Sequence, residues 1–191
     1  MTATPADSTS SLVDLLTAQH HQITELFDLV LGSGPADRSP IFGELLRRLA
    51  MHESAEHVVV HPQARQLIEG RDDLLDELMA QEVSIKDAFG ELDQLAIESD
   101  AFIEALTNIR ELFTDHSRRE ESDEFPSLAM DSAEQRRLIN AIDALSNLAA
   151  SGSEEEFAHA DLASGSPNRM VGPFAPLLDR ARQFLEQPAD E

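Results

Sequence analysis

Apolar residues recur at intervals of three and four positions along four successive stretches of the chain. This spacing places the apolar side chains on one face of an α-helix. The predicted helices cover residues 12–31, 40–62, 72–98 and 101–126. Ser39 and Asp100 are the predicted caps of the second and fourth helices, and Pro62 and Pro126 should kink or shorten the same two helices. Four helices of comparable length with short connections predict an all-α fold, an up-down-up-down four-helix bundle.

Residues 11–130 form the predicted bundle, and the chain differs in character on either side of it. Residues 1–10 are mostly small and polar and contain a proline, which predicts a disordered tail. Residues 131–191 form an accessory C-terminal region, in which helices over 133–149 and 173–184 are separated by Ser/Gly-rich linkers. The last helix has an apolar face that could pack on the bundle or on a second copy of the chain, so a homo-oligomer could form through this region.

Composition narrows the classes of partner and of chemistry. The chain has no cysteine, so any bound metal must be held by nitrogen and oxygen ligands. The formal net charge of −23, from 14 basic and 37 acidic residues, repels phosphate backbones and anionic membrane surfaces. The N-terminus lacks a basic or apolar leader, and no apolar run reaches the roughly 18 residues of a membrane span. We therefore expect no nucleic acid or membrane partner and a cytoplasmic location.

A pair of potential metal ligands occurs twice. His52 and Glu56 recur 64 residues later as His116 and Glu120, and a proline follows each glutamate by six residues. Residues four apart on a helix lie about 40° apart around its axis and roughly 6 Å along it, so each pair could hold one cation. One such pair is weak support for a metal site, because the same spacing also stabilises ordinary exposed helices. Two matched copies favour a dinuclear metal site over a metal-free structural bundle.

A weaker repeat precedes each copy. His20 is followed by Ile23 and Phe27, and Glu82 lies 62 residues later with an isoleucine and a phenylalanine at the same spacing. The first and third helices therefore carry ligand-capable residues at matched positions.

Together these residues resemble the hemerythrin-like (HHE cation-binding) domain family of bacterial type, over about residues 11–130. The family pattern is His, then His-x-x-x-Glu, then His, then His-x-x-x-Glu on four successive helices. The resemblance implies a non-haem di-iron centre inside the bundle, bridged by carboxylates and an oxo or hydroxo group, that binds dioxygen, hydrogen peroxide or nitric oxide. The implied metal ligands are His20, His52, Glu56, His116 and Glu120. Where the third helix of the family has histidine this chain has Glu82, which we also expect to be a ligand.

A second departure lies beside the first His/Glu pair. His57 stands where the second copy has Glu121, and His61 stands where it has Phe125. In a regular α-helix they lie about 140° and 180° around the axis from His52, which predicts an outer-shell or surface position for His61. His57 could act as a ligand or as an acid/base group near the metals, or it could be a plain structural histidine. Glu53 and Glu121 could bridge the metals or support the ligands.

The resemblance and the glutamate at position 82 together favour turnover of a small oxidant over reversible oxygen carriage. Carboxylate ligands make a site harder and more anionic, which stabilises ferric iron. Catalase-like removal of hydrogen peroxide is the most concrete hypothesis, with Glu121 or His57 as the catalytic proton carrier. The alternative is a non-enzymatic module that senses or binds iron, oxygen or nitric oxide.

Overall fold

The computed structural model of the protein describes residues 11–68 and 70–151, and these residues form helices and turns without any strand. The helices are α1 (Leu12–Gly32), α2 (Pro35–Ala55), α3 (His61–Leu67), α4 (Asp72–Glu91), α5 (Asp100–Arg119) and α6 (Ser132–Ser151). Short helices of other types extend three of them, namely π-helices over Glu56–Val60 and Glu120–Glu124 and 3-10 helices over Leu92–Gln94 and Phe125–Ser127. The predicted all-α class is confirmed. The predictions for residues 1–10 and 173–184 lie outside the described residues.

Four helical segments form an antiparallel bundle. α1 packs against α2 and α5, α4 packs against α5, and α3 continues the line of α2 to contact α4. Consecutive helices joined by short connections are neighbours, as an up-down-up-down bundle requires. α6 then packs across α1 and α2, where Leu138 and Ile142 are buried. No helix within the described residues has both the length and the apolar composition needed to cross a membrane.

Three helix ends differ from the prediction. α2 begins at Pro35, because a proline suits the first helical turn, where its missing N–H has no helical partner. Ser99 rather than Asp100 caps α5, since its hydroxyl accepts a hydrogen bond from the Phe102 N–H. α4 ends at Glu91, well before residue 98. Beyond it the Ile97 carbonyl accepts a hydrogen bond of 2.7 Å from the Arg38 guanidinium of α2, which holds this carbonyl outside the helix.

Both prolines of the repeat follow a π-helix instead of a simple kink. The π-helices begin at Glu56 and Glu120, so the 64-residue repeat extends to the backbone conformation. In each of them the N–H five residues after the glutamate donates to the glutamate carbonyl, from His61 in the first and from Phe125 in the second. A π-turn accommodates one more residue than an α-turn, and such turns are frequent at functional sites. Each π-turn therefore brings the residue five after its glutamate onto the glutamate's own face.

Phenylalanines fill the bundle on one side of this region. Phe42 lies 5.1 Å from Phe102 between ring centroids, and Phe27 lies 5.7 Å from Phe113. All four rings are buried, and Phe113 also contacts the imidazoles of His20 and His52. The apolar core thus forms a buried layer next to the polar residues of the following helical turns.

Candidate metal centre

Beyond Phe113 the bundle interior contains a cluster of ionisable side chains instead of an apolar core. It comprises four imidazoles and five carboxylates, each at most 2% exposed: His20, His52, His61, His116, Glu53, Glu56, Glu82, Glu120 and Glu124. They come from α1, α2, α4, α5, both π-helices and the first residue of α3. Burial of ionised groups is costly unless they are paired or bind a metal. Because carboxylates outnumber imidazoles in this buried cluster, protons or bound cations are needed to balance their negative charge.

The ligand atoms of this cluster form three overlapping groups, and within each group all atoms lie within 4.8 Å of one another. The groups are His20–His52–Glu56–Glu120, Glu53–Glu56–Glu82–His116 and His61–Glu82–Glu120. Glu56, Glu82 and Glu120 each belong to two groups. A carboxylate has two oxygens, so a glutamate shared between neighbouring groups can bridge two cations.

The distances within the first group and its neighbour fit ligands of common ions. Glu120 places Oε1 3.0 Å from His116 Nε2 and Oε2 3.2 Å from His20 Nε2. His52 Nε2 lies 3.2 Å from Glu56 Oε2. Two ligand atoms that bind the same ion, each at about 2.0–2.2 Å from it, are separated from each other by roughly 3 Å. Among the described residues these atoms have no hydrogen-bond partner of good geometry, although all are buried.

Every imidazole of the cluster has a side-chain partner at Nδ1. Nδ1 of His52 donates to Gln19 Oε1 at 3.0 Å, and Nδ1 of His20 lies 2.8 Å from Glu121 Oε1. The corresponding contacts of the other two rings are His116 Nδ1 to Gln81 Oε1 at 3.4 Å and His61 Nδ1 to Glu124 Oε1 at 2.8 Å. Such partners fix the ring and its tautomer in metal sites, and they leave Nε2 free to bind the ion.

Gln19 and Gln81 are functional candidates that the sequence reasoning missed. Each precedes the ligand position of its helix by one residue, so the two glutamines share the 62-residue offset that relates His20 to Glu82. Extending that comparison by one position would have found them.

Electrostatics in the cluster favour protons or a cation. Burial lowers the pKa of His20, but contacts with Glu120 and Glu56 outweigh burial and raise this pKa to about 10. Burial and the neighbouring Glu120 raise the pKa of Glu56 to about 7. Burial and adjacent carboxylates raise the pKa of Glu53 well above its usual range. For Glu120 burial is outweighed by His116 and His20, which hold its pKa below the usual range.

The structure brings all six predicted ligands together, namely His20, His52, Glu56, Glu82, His116 and Glu120. Glu53 joins them with both oxygens unpaired among the described residues, and Glu121, 34% exposed, supports His20 from outside. His57 is half-buried and belongs to none of the three groups of described residues, so its catalytic role stays a prediction.

His61 does not lie where a regular helix would place it. Its ring is 2% exposed and contacts both Glu82 and Glu124, so of the two positions expected for it, outer-shell or surface, the surface position is wrong. The calculation from His52 assumed an uninterrupted α-helix, whereas the π-turn between Glu56 and Val60 absorbs one extra residue. His61 is thereby rotated back toward the cluster.

The glutamine contact to His52 leads to a prediction. Replacing Gln19 by alanine should lower the affinity for iron about 10- to 100-fold, because the His52 ring loses the partner that orients it. Competition against a ferrous-iron chelator measures the change. Gln22→Ala is the matched control, since Gln22 is exposed on the same helix and contacts Arg48. Equal affinities of the two variants would contradict an orienting role for Gln19.

The donor set fits a metal pair. It consists of imidazole nitrogens and carboxylate oxygens, which suit iron, manganese and zinc, and its unpaired atoms are buried and converge on shared glutamates.

Comparison with known proteins agrees with this geometry. The model of the hemerythrin HHE cation-binding domain matches residues 11–128. Among solved structures, the chain resembles a hemerythrin HHE cation-binding domain-containing protein from Mycobacterium kansasii, with 15% sequence identity, a TM-score of 0.65 and coverage of 86% of this chain and 99% of that one. No curated protein matches the chain. Because the family model spans more than half of its length, the chain belongs to the hemerythrin HHE cation-binding domain family.

Proposed function

We propose that this protein holds two iron ions, bridged by Glu56, Glu120 and an oxo or hydroxo group, and removes hydrogen peroxide in a catalase-like reaction. One observation supports the proposal above all others: the ligand groups overlap at Glu56, Glu82 and Glu120, and imidazole Nε2 atoms from three helices face Glu56 and Glu120. His20 and His52 would hold one ion, and Glu82 and His116 would hold the other.

Bound iron would supply the electron transfer by which hydrogen peroxide disproportionates into water and dioxygen. The chain supplies the anionic environment. Three of the six predicted ligands are carboxylates, and Glu53 adds a fourth buried carboxyl group beside them. Anionic oxygen ligands stabilise ferric iron, which disfavours reversible oxygen carriage and favours reaction with an oxidant.

Glu121 connects the cluster with solvent. Its carboxylate is 34% exposed, while its Oε1 lies 2.8 Å from Nδ1 of the buried His20. A carboxylate in this position holds the ring of His20 and can exchange protons with water at the surface. Glu121 is therefore the residue of this chain that we assign to proton movement.

A surface cleft borders the cluster at His52. It lies between α1 and α2 and is lined by Gln19, Gln22, Ile23, Arg47, Arg48, Met51 and His52. Its lining mixes polar and apolar side chains and includes His52 and the glutamine that orients it, so a small hydrogen-bonding solute such as hydrogen peroxide would lie beside a predicted ligand there.

A second candidate function is sensing of iron, dioxygen or nitric oxide without turnover. It is favoured by α6, which packs on α1, α2 and the π-helix that carries Glu56. Movement of Glu56 on metal binding would be transmitted to α6 through the contact between α6 and this π-helix. A metal that binds the folded state also stabilises that state by linkage.

The test is dioxygen release from hydrogen peroxide by the iron-loaded protein. We expect sustained release, and we expect Glu121→Gln to keep its iron but lose about 10- to 100-fold in kcat, with a shifted pH profile. Glu111→Gln is the matched control, because Glu111 is exposed on α5 away from the cluster. An iron-loaded protein that releases no dioxygen would overturn the enzymatic proposal in favour of the sensor.

A further inference from the structure

We propose that His61 is an additional metal ligand, which supplies from the π-turn the imidazole that α4 lacks at position 82. This inference rests on the proposed metal centre and extends it to a residue outside the six predicted ligands. Backbone geometry, the orientation of the ring and the correspondence between the two halves of the bundle support it.

The π-turn places His61 on the face of a ligand. The N–H of His61 donates to the carbonyl of Glu56, which is the five-residue contact of a π-helix. Residues joined by that contact lie one above the other, as residues four apart do in an α-helix. His61 therefore follows Glu56 along the same side of the helix, and its ligand atom lies within 4.8 Å of those of Glu82 and Glu120.

The ring of His61 is oriented as the other three imidazoles are. Nδ1 is 2.8 Å from Glu124 Oε1, and Glu124 is fully buried, so this partner is fixed. Nε2 points the opposite way and contacts Glu82 Oε1. An ion held by both residues would take the place of the proton between these two atoms. A carboxylate behind a histidine whose other nitrogen faces a second ligand is a common arrangement in metal sites.

The two halves of the bundle place one imidazole in each of two equivalent contacts. In one half His20 of α1 stacks on Phe125 of the π-turn, with ring centroids 5.5 Å apart and planes 13° apart. In the other half Glu82 of α4 contacts His61. Positions 20 and 82 correspond, and so do positions 125 and 61. The imidazole is therefore carried by the helix in the first pair and by the π-turn in the second.

This correspondence provides a rescue experiment. His61→Phe should lower bound iron from about two ions per chain to about one, because the ion held by Glu82 and His116 loses one of its two nitrogen ligands. Adding Glu82→His to that variant recreates the His20–Phe125 pair and should restore the second ion. His21→Gln is the control, since His21 is exposed beside His20 and its loss should leave the iron content unchanged.

A crystal structure of the iron-loaded natural protein tests directly, without any variant, whether His61 is a ligand. His61 Nε2 at about 2.0–2.2 Å from an iron ion would support the proposal. Two bound irons with this atom beyond bonding distance, or two irons retained by His61→Phe with an unaltered spectrum, would overturn it and leave the proposed function standing. A natural protein that takes up no iron would instead overturn the proposed function.

Discussion

Replacing Glu120 by glutamine should remove both metal ions, the largest effect that we expect from any single substitution in this protein. The two oxygens of Glu120 face different imidazoles, His116 Nε2 at 3.0 Å and His20 Nε2 at 3.2 Å. An amide of the same shape has lost the negative charge and has only one oxygen to offer. Iron content should fall from about two ions per chain to well below one, and the near-ultraviolet absorption of oxo-bridged iron should disappear.

Elemental analysis and an absorption spectrum measure this loss, with Glu111→Gln on the exposed face of α5, which the π-helix of Glu120 extends, as the matched control. The control removes one carboxylate from α5 without touching the cluster, so it should keep the iron of the natural protein. Two irons and an unchanged spectrum in Glu120→Gln would contradict the assignment of Glu120 as a bridging ligand.

Removing the metal should destabilise the protein more at pH 9 than at pH 7. The pKa of His20 is raised to about 10 by Glu120 and Glu56 against the opposing effect of burial, so protonated His20 stabilises the metal-free fold. This stabilisation is fully present below the ordinary histidine pKa of about 6.5 and is lost as the pH rises toward 10. The slope is at most about 1.4 kcal/mol per pH unit for one group.

Glu56 and His52 change the stability of the metal-free protein mainly below pH 7. Burial and Glu120 raise the pKa of Glu56 to about 7, so its ionisation costs stability between about pH 4.5 and 7 and adds little further change above that. The pKa of His52 is lowered by burial and by the nearby His20, so its effect on stability is confined below about pH 6.5. Between pH 7 and 9 the contribution of His20 therefore dominates among these three. Carboxylate contacts outweigh burial and raise the pKa values of His61 and His116, and burial raises that of Glu53, so any effect of these groups has the same sign as that of His20.

The metal-loaded protein should not lose stability in this way as the pH rises. Ligands bind metal in their deprotonated form, so the affinity for iron rises with pH and the stabilisation by bound metal rises with it. Thermal unfolding of iron-loaded and chelated protein at pH 7, 8 and 9 measures the difference in Tm. We expect this difference to widen by a few degrees per pH unit. A constant difference, or one that narrows, would contradict the linkage.

Much of this site follows from the internal repeat in the sequence. The 64-residue offset identifies the two His/Glu pairs, whose histidines lie on α2 and α5 and whose glutamates begin the π-helices that follow. The 62-residue offset identifies His20 and Glu82, and all of these side chains lie in the cluster. The helices follow from apolar periodicity, because a bundle helix must bury one continuous face. Neither inference needs knowledge of distant contacts.

The parts that could not be predicted depend on the backbone between these residues. A proline indicates that the regular helix is interrupted, but it does not say whether the preceding turn widens, and the position of His61 depends on that choice. Both Pro35 and Pro40 suit a helix start, and the structure uses the earlier one. The repeat identifies Gln19 as a matched position, but its orienting role depends on a contact with His52, 33 positions away in the chain.

Elemental analysis and an ultraviolet-visible spectrum of protein purified without a histidine tag and without added metal would reveal a di-iron centre. We expect about two irons per chain and near-ultraviolet absorption from an oxo bridge to iron. Colourless, metal-free protein that also fails to take up ferrous iron would contradict this expectation.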